Sequence, residues 1–267
     1  MRILVINPGS TSTKVAVYED ERPVLLRNIR HTADELQQYA TSFDQLPLRQ
    51  NKIVQTLEEE EIPFDFDAIV GRGGLTHPIP AGVYRVNAQM LHDTRTAIRQ
   101  HVCNLGCHIA AALASKIDHC EALIADPVIV DEMCAEARIC GSPNMSRNSV
   151  WHALNQRATA RRHALAIGRR YEDLDLIVAH LGGGITIGVH HHGRTIDVNN
   201  GLDGEGPFSP ERAGTLPSSD LIRMCFSGEY TEEELLRFVG GKAGLMAWLG
   251  TSDTREILDR IESGDEE

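Results

Sequence analysis

The chain has 267 residues, with 26 Lys+Arg against 38 Asp+Glu and a formal net charge of −12, enough for one large or two modest domains. Apolar residues make up 42% and charged residues 24%, a globular composition that excludes wholesale disorder. The acidic balance excludes a general nucleic-acid binder, which needs a basic face to displace counterions from phosphates.

No stretch suits a bilayer or an export signal. The longest weakly polar run, residues 176–189, holds His180 and four glycines, and the apolar start gives way at once to Asn7-Pro8-Gly9-Ser10. Six cysteines (Cys103, Cys107, Cys120, Cys134, Cys140 and Cys225) at irregular spacings read as the reduced thiols of a cytoplasmic protein.

Residues 3–17 read as a strand, a loop of small residues and a second strand, hence a β-hairpin. In the loop, Asn7-Pro8-Gly9-Ser10-Thr11-Ser12-Thr13-Lys14, glycine lets backbone amides approach a phosphate, hydroxyls donate hydrogen bonds and Lys14 adds charge. It lacks the glycine spacing of a Walker loop, and a strand follows it instead of a helix. An ordinary hairpin turn is the alternative. Glu58-Glu59-Glu60-Glu61 reads as a solvated helix end. A strand at residues 68–71 runs into Gly71-Arg72-Gly73-Gly74, where Arg72 is open to a carboxylate or phosphoryl group in bidentate fashion, or is a surface arginine in a turn.

Residues 87–98 show Met90, Leu91, Ala97 and Ile98 at helical spacing, and residues 105–117 carry Ile109, Ala110, Leu113, Ala114 and Ile117 on one stripe. His101, Cys103, Cys107 and His108 crowd this region at a spacing that fits no standard zinc module. A strand at residues 122–125 ends in Asp126-Pro127; Asp126 can hold Mg²⁺ or simply begin a turn. A hinge is expected near residues 141–148, dividing the chain into domains 1–148 and 149–267. His152 opens a long helix expected over residues 149–170. There Leu154, Ala158, Leu165 and Ile167 form the apolar side, and Arg161, Arg162, Arg169 and Arg170 the wet side.

Residues 176–189 then repeat the plan of residues 3–17 without a gap, Gly9 falling on Gly182 and Thr13 on Thr186. The second loop is His180-Leu181-Gly182-Gly183-Gly184. Two such loops imply two related halves, a two-domain α/β architecture whose loops take a nucleotide's phosphates. His190-His191-His192-Gly193 reads as a hairpin tip before a strand at residues 194–198. Helix starts follow at Ser218-Ser219-Asp220, at Thr231-Glu232-Glu233-Glu234 by the capping-box pattern, and at Thr251-Ser252-Asp253. The second half is the shorter and closes on Glu262-Ser263-Gly264-Asp265-Glu266-Glu267, so a truncated second domain is expected.

Together these segments resemble the acetokinase family, its butyrate branch more than its acetate branch, within the acetate–sugar kinase, heat-shock protein and actin superfamily. Further segments that carry the resemblance are Asn104-Leu105-Gly106, His152-Ala153-Leu154-Asn155-Gln156, Asp197-Val198-Asn199-Asn200, residues 202–212 and Leu249-Gly250-Thr251, so it spans nearly the whole chain. The resemblance implies an actin-like ATPase (ribonuclease H-like) fold with duplicated halves. It also implies reversible transfer of the γ-phosphoryl group of ATP to a short-chain carboxylic acid, with ATP/ADP and Mg²⁺ as nucleotide and metal. Butyrate is the expected acceptor. Isobutyrate, propionate and acetate stand as alternatives, as does an inactive phosphate-binding fragment lacking the adenosine site.

By the same resemblance Asn7, Ser10, Ser12 and Lys14 would handle phosphates, Ser12 and Asp126 would hold the metal, and Arg72 would orient the carboxylate. His152 would steady the transferring group, and His180 with Gly182, Gly183 and Gly184 would make the second set of phosphate contacts. Leu105, Trp151 and Pro210 match positions lining the acyl pocket. A second catalytic arginine of the acetate kinases is absent from Gly214-Thr215-Leu216-Pro217, and Arg212 is the candidate to supply that charge. The family's adenosine loop and a late metal-binding Glu are expected after the last helix, where this chain stops. A cytoplasmic homo-oligomer with no membrane or nucleic-acid partner is implied.

Overall fold

In a computed structural model the chain packs as two compact units, Met1–Ile129 and Val130–Glu267; residues 1–97 and 100–265 are described. The first unit is built on strands β1 (Arg2–Pro8), β2 (Ser12–Glu19), β3 (Arg22–Arg30), β4 (Ala68–Gly71), β5 (Val83–Arg85) and β6 (Glu121–Ala125). They form one mixed sheet in the order β3-β2-β1-β4-β6-β5. β1, β4 and β6 run parallel, and β1–β2 is the expected hairpin, with Asn7 opposite Lys14 and Pro8 opposite Thr13. Three antiparallel strands continued by parallel ones are the ribonuclease H-like arrangement anticipated above.

Four helices belong to this unit among the described residues: α1 (Ala33–Gln37), α2 (Leu46–Glu59), α3 (Ala88–Thr96) and α4 (Leu105–Ala114). Alternation along β1 and β2 sends Leu4, Ile6, Val15 and Val17 to one face, where they meet Ile53 and Leu57 of α2 and Ile109 and Leu113 of α4. The Asn87 side chain caps α3 by accepting from the Met90 amide. The helix stops at Thr96, and the expected apolar position Ile98 lies outside the described residues. The glutamate run at the end of α2 is not wholly solvated, because Glu60 takes a two-pronged ion pair from Arg27 of β3 at 2.6 and 2.8 Å.

α4 sits directly on the carboxyl end of β4. A Cβ on Gly71 would overlap the Gly106 carbonyl, and a Cβ on Gly106 would overlap the Arg72 carbonyl oxygen. Backbone meets backbone here, which glycine alone permits. The turn that presents Arg72 is thereby clamped between strand and helix.

The second unit contains β7 (Asp175–Leu181), β8 (Ile185–His191) and β9 (Arg194–Val198), an antiparallel sheet in that order, with α5 (Ala153–Ala166), α6 (Ser218–Phe226), α7 (Glu232–Gly241), α8 (Leu245–Leu249) and α9 (Thr254–Glu262). β7–β8 is the second copy of the hairpin. His192 and Gly193 make the β8–β9 turn with φ of +48° and +80°. Thr231 and Glu234 complete the capping box of α7, and Asp253 caps α9.

Two expectations are corrected. The long helix begins at Ala153, since Ser149 and Trp151 are committed to hydrogen bonds with the Val130 carbonyl (2.7 and 2.8 Å). It ends at Ala166, before Gly168, whose φ of +67° turns the chain out of the helix. Its buried face is Ala153, Gln156, Arg157, Ala160 and Ala164, while Leu154 and Leu165 are 46% and 80% exposed. Small side chains allow α5 to lie close on β7, where Ala160 and Ala164 pack with Tyr171, Leu176 and Val178. Residues 130–148, ahead of the expected 148/149 boundary, pack within the second unit. The Cys134 amide bonds to the Ile196 carbonyl, and Arg147 pairs with Asp197 (2.9 Å) and with Glu205.

Gly106→Ala should force helix and strand apart at this contact. The expected cost is about 2 kcal/mol or more, since backbone cannot yield as a side chain can. Urea denaturation of the variant, with a midpoint equal to the parent's, would contradict the clamp.

Candidate active site

The parallel strands β1, β4 and β6 all end on one edge of the first sheet, the edge where open α/β sheets bind ligands. Asn7, Arg72 and Asp126 stand there at adjacent strand ends, since Ile6 pairs with Gly71 and Gly71 with Ile124. Arg72 is half-buried and donates from Nη1 to Asn7 Oδ1 at 3.4 Å. Its turn is held by Asn104, fully buried, which accepts from the Leu75 amide at 2.9 Å and donates to the Thr94 carbonyl at 3.1 Å. Asp126 is only 6% exposed, adopts φ +36° and accepts from the Gly82 amide at 2.8 Å. Lys14 lies opposite Asn7 on the same face of the hairpin, exposed, as is Ser10; Ser12 is half-buried. The structure thus gathers Asn7, Ser10, Ser12, Lys14, Arg72 and Asp126 at one end of one sheet.

The first loop is braced from beneath by a residue with no sequence signal, Arg49 of α2. Its guanidinium is 0% exposed and spends five hydrogen bonds on the Ser10 and Ser12 carbonyls, Thr13 Oγ1 and Gln45 Oε1, at 2.9–3.3 Å. The Thr11 carbonyl accepts from the His31 amide at 2.9 Å and the Ser12 carbonyl also accepts from the Gly9 amide at 2.7 Å. Three successive carbonyls, which would repel a phosphate, are therefore engaged within the protein. Burial draws Arg49 down to about 10, which leaves it a cation at neutral pH.

In the second unit the glycine loop gathers a second set. His152, at the start of α5, stacks on His180 of β7 with ring centroids 3.7 Å apart and planes 1° from parallel. His152 Nδ1 lies 2.9 Å from Thr186 Oγ1, and His180 Nδ1 lies 2.9 Å from Asn155 Nδ2. Arg212 lies against Gly184, where any Cβ would overlap its guanidinium, and donates to the Gly201 carbonyl. The Gly183 carbonyl accepts from Ser209 Oγ (2.6 Å) and the Glu211 amide (3.2 Å), so this loop too has its carbonyl turned to the protein. His152, His180, Gly182, Gly183, Gly184 and Arg212 are thus together.

The residues matched to the acyl pocket are placed differently from one another. Leu105 is 0% exposed in the core of the first unit, Trp151 is 2% exposed in the second, and Pro210 is half-buried. The His/Cys segment is packing: burial raises the Cys103 thiol to about 11, raises Cys107 and lowers His108, while His101 Nδ1 accepts from the Cys103 amide. Asp126 and Ser12 offer a buried carboxylate and a hydroxyl, the hard oxygen donors that suit a divalent cation such as Mg²⁺. Among the described residues no helix is long and apolar enough to cross a membrane.

A ribonuclease H-like sheet with strand-end polar residues, and a repeated hairpin with a glycine loop, define the actin-like ATPase class of α/β proteins. The chain belongs to the acetokinase family. The acetokinase family model matches residues 147–267. Over 99% of its length the chain is 59% identical to a probable butyrate kinase of Bacteroides thetaiotaomicron, covering 75% of that protein. It is 48% identical to butyrate kinase 1 of Clostridium acetobutylicum, again over 99% of the chain and 75% of the relative. Among solved structures, acetate kinase of Porphyromonas gingivalis superimposes with a TM-score of 0.72 at 17% identity, over 99% of this chain and 74% of that one. A propionate kinase of Francisella tularensis gives 0.72 at 18%, with the same coverage; these likenesses establish the fold.

Two interior histidines set a pH dependence. Burial, with Arg49 and Lys52 near one and Arg157 near the other, holds His31 and His190 at about 4, below the ordinary 6.5. The unfolded chain therefore takes up these protons first, and folding stability should fall as pH drops from 6.5 towards 4, by roughly 3 kcal/mol for each histidine. Urea midpoints measured across that window check this; a flat profile would contradict it.

Proposed function

We propose that the chain is a butyrate kinase, transferring the γ-phosphoryl group of ATP reversibly to the carboxylate of butyrate to give butyryl phosphate and ADP. The observation that carries the reading is the cluster of Arg72, Asn7 and Asp126 at three adjacent strand ends. It combines a guanidinium for a carboxylate with oxygen donors for a metal. The names of the relatives support the same acceptor.

A carboxylate is already anionic at neutral pH, so the reaction needs no general base. The protein must suppress the repulsion between two anions and hold them in line. In this reading Arg72 takes the carboxylate in bidentate fashion, and Asn7, Ser10, Ser12 and Lys14 hold phosphate oxygens over a loop whose carbonyls are already engaged. Asp126 and Ser12 would hold Mg²⁺, which supplies positive charge to the phosphates. His152 donates a hydrogen bond to the transferring phosphoryl group, and His180, the backbone of residues 182–184 and Arg212 stabilise the phosphate charge. By the resemblance Leu105, Trp151 and Pro210 are the candidates to contact the acyl chain. The enzyme is read as a cytoplasmic homo-oligomer acting on a small acid.

Hydroxylamine trapping of acyl phosphate from MgATP with acetate, propionate, butyrate and isobutyrate in parallel tests the reading. Most product with butyrate is expected; product with acetate alone, or with none of the acids, would overturn it. Arg72→Ala should cost about 2 kcal/mol or more in kcat/KM for the acid, roughly thirtyfold, while calorimetric MgADP affinity stays near that of the parent.

A further inference from the structure

Beneath His152 runs an unbroken line of buried side chains: Tyr171, His190, Gln156 and Thr186. Tyr171 is 3% exposed, and the other three are 0% exposed. The Thr186 carbonyl can only accept, so the Gln156 atom 2.9 Å from it is the amide nitrogen. That fixes the amide's orientation, and its second N–H reaches Thr186 Oγ1, also at 2.9 Å. Gln156 Oε1 then faces His190 Nε2 at 3.1 Å, and this nitrogen must carry a proton. His190 Nδ1, left as the acceptor, receives the Tyr171 hydroxyl at 2.6 Å. Burial holds His190 neutral, at about 4, in agreement with one proton on its ring.

The direction set by Gln156 carries on to His152. Thr186 Oγ1 accepts from Gln156 Nε2 and, at 3.4 Å, from the His152 backbone amide. Both of its lone pairs are then taken, and its own proton has His152 Nδ1 before it at 2.9 Å. Were Nδ1 protonated, three N–H donors would converge on one hydroxyl. The hydroxyl proton would then be left in a fully buried site, with no other acceptor recorded among the described residues, at a cost comparable to a lost buried hydrogen bond. The facing titratable group argues the same way: His180 stacks on His152 at 3.7 Å, where two imidazolium charges would repel. Of the charged groups near the glycine loop, Arg212 lies against Gly184 and Glu211 beside Gly183.

We infer that Gln156 and Thr186 are positioning residues that fix His152 as the neutral tautomer protonated on Nε2. His152 then meets its ligand as a hydrogen-bond donor without needing a charge. The role of that donor rests on the kinase reading above; the tautomer does not. Gln156 and Thr186 act only through His152, and Tyr171 and His190 secure the orientation of Gln156.

The test is long-range ¹H–¹⁵N correlation of the full chain labelled in histidine at pH 7.5, with the His152 signals assigned by their loss in His152→Gln. The expected pattern is a protonated Nε2 and a bare Nδ1. Thr186→Val, nearly isosteric but without the hydroxyl, should give a mixture of tautomers, and Thr186→Ser should restore the parent pattern. In the acyl-phosphate assay the valine variant should lose about tenfold in kcat with KM little changed, and the serine variant should recover it. A protonated Nδ1 in the parent, or an unchanged pattern in Thr186→Val, would overturn the inference. Absence of acyl-phosphate formation by the parent, with the expected spectra, would count against the kinase reading alone.

Discussion

Arg49 places a guanidinium beneath the first loop with no exposed surface, and its five hydrogen bonds end on uncharged oxygens. A buried cation of this kind is tolerable only when every N–H finds an acceptor, and the planar fork of arginine delivers five N–H groups to four acceptor oxygens where a lysine ammonium has only three to give. Two of its acceptors are the loop carbonyls of Ser10 and Ser12, so part of what offsets the buried charge also sets the shape of the loop. Chain segments from β1–β2 and α2 converge on this one group. The shape of the first loop therefore depends on a side chain buried beneath it.

The second unit reaches a comparable end by other means. Its loop is short of side chains, and the Gly183 carbonyl is held by Ser209 and the Glu211 amide. Arg212 fills the space that a Cβ at position 184 would need. Here the buried polar residues lie under the histidine instead of under the loop. One unit spends its interior polarity on backbone shape, the other on the orientation of a ring. Both are forms of preorganisation, in which order is established on folding and need not be purchased again at each binding event.

Much of this was legible in the sequence. The two hairpins were visible as a gap-free repeat of strand, small-residue loop and strand. Strand-end residues Asn7, Arg72 and Asp126 were visible as polar side chains closing apolar runs. Other elements gave no such signal. β3 buries only Leu25 among its nine residues, and its short Val24-Leu25-Leu26 run shows no alternation. In α5 the leucines that carry the apolar pattern do not form the inner face. Alanine packs that face, and the larger side chains are left outside. Arg49 and Gln156 are polar residues at interior positions, which hydrophobic patterning assigns to solvent. The repeat aligns Thr186 with Thr13 without marking either as interior, and both are fully buried.

That alignment has a consequence for how the two halves diverged. Thr13 accepts from Arg49 and reaches His31 Nε2 at 2.8 Å, as Thr186 accepts from Gln156 and reaches His152. The same threonine–histidine couple thus occurs once per hairpin. In the first, the far nitrogen of His31 is sealed in the interior with no hydrogen-bond partner among the described residues, and the ring is 5% exposed. In the second, His152 is half-buried and stacked against another imidazole. The repeated threonine takes its histidine from a different place in each half, and the cover differs too: closed over His31, left ajar over His152.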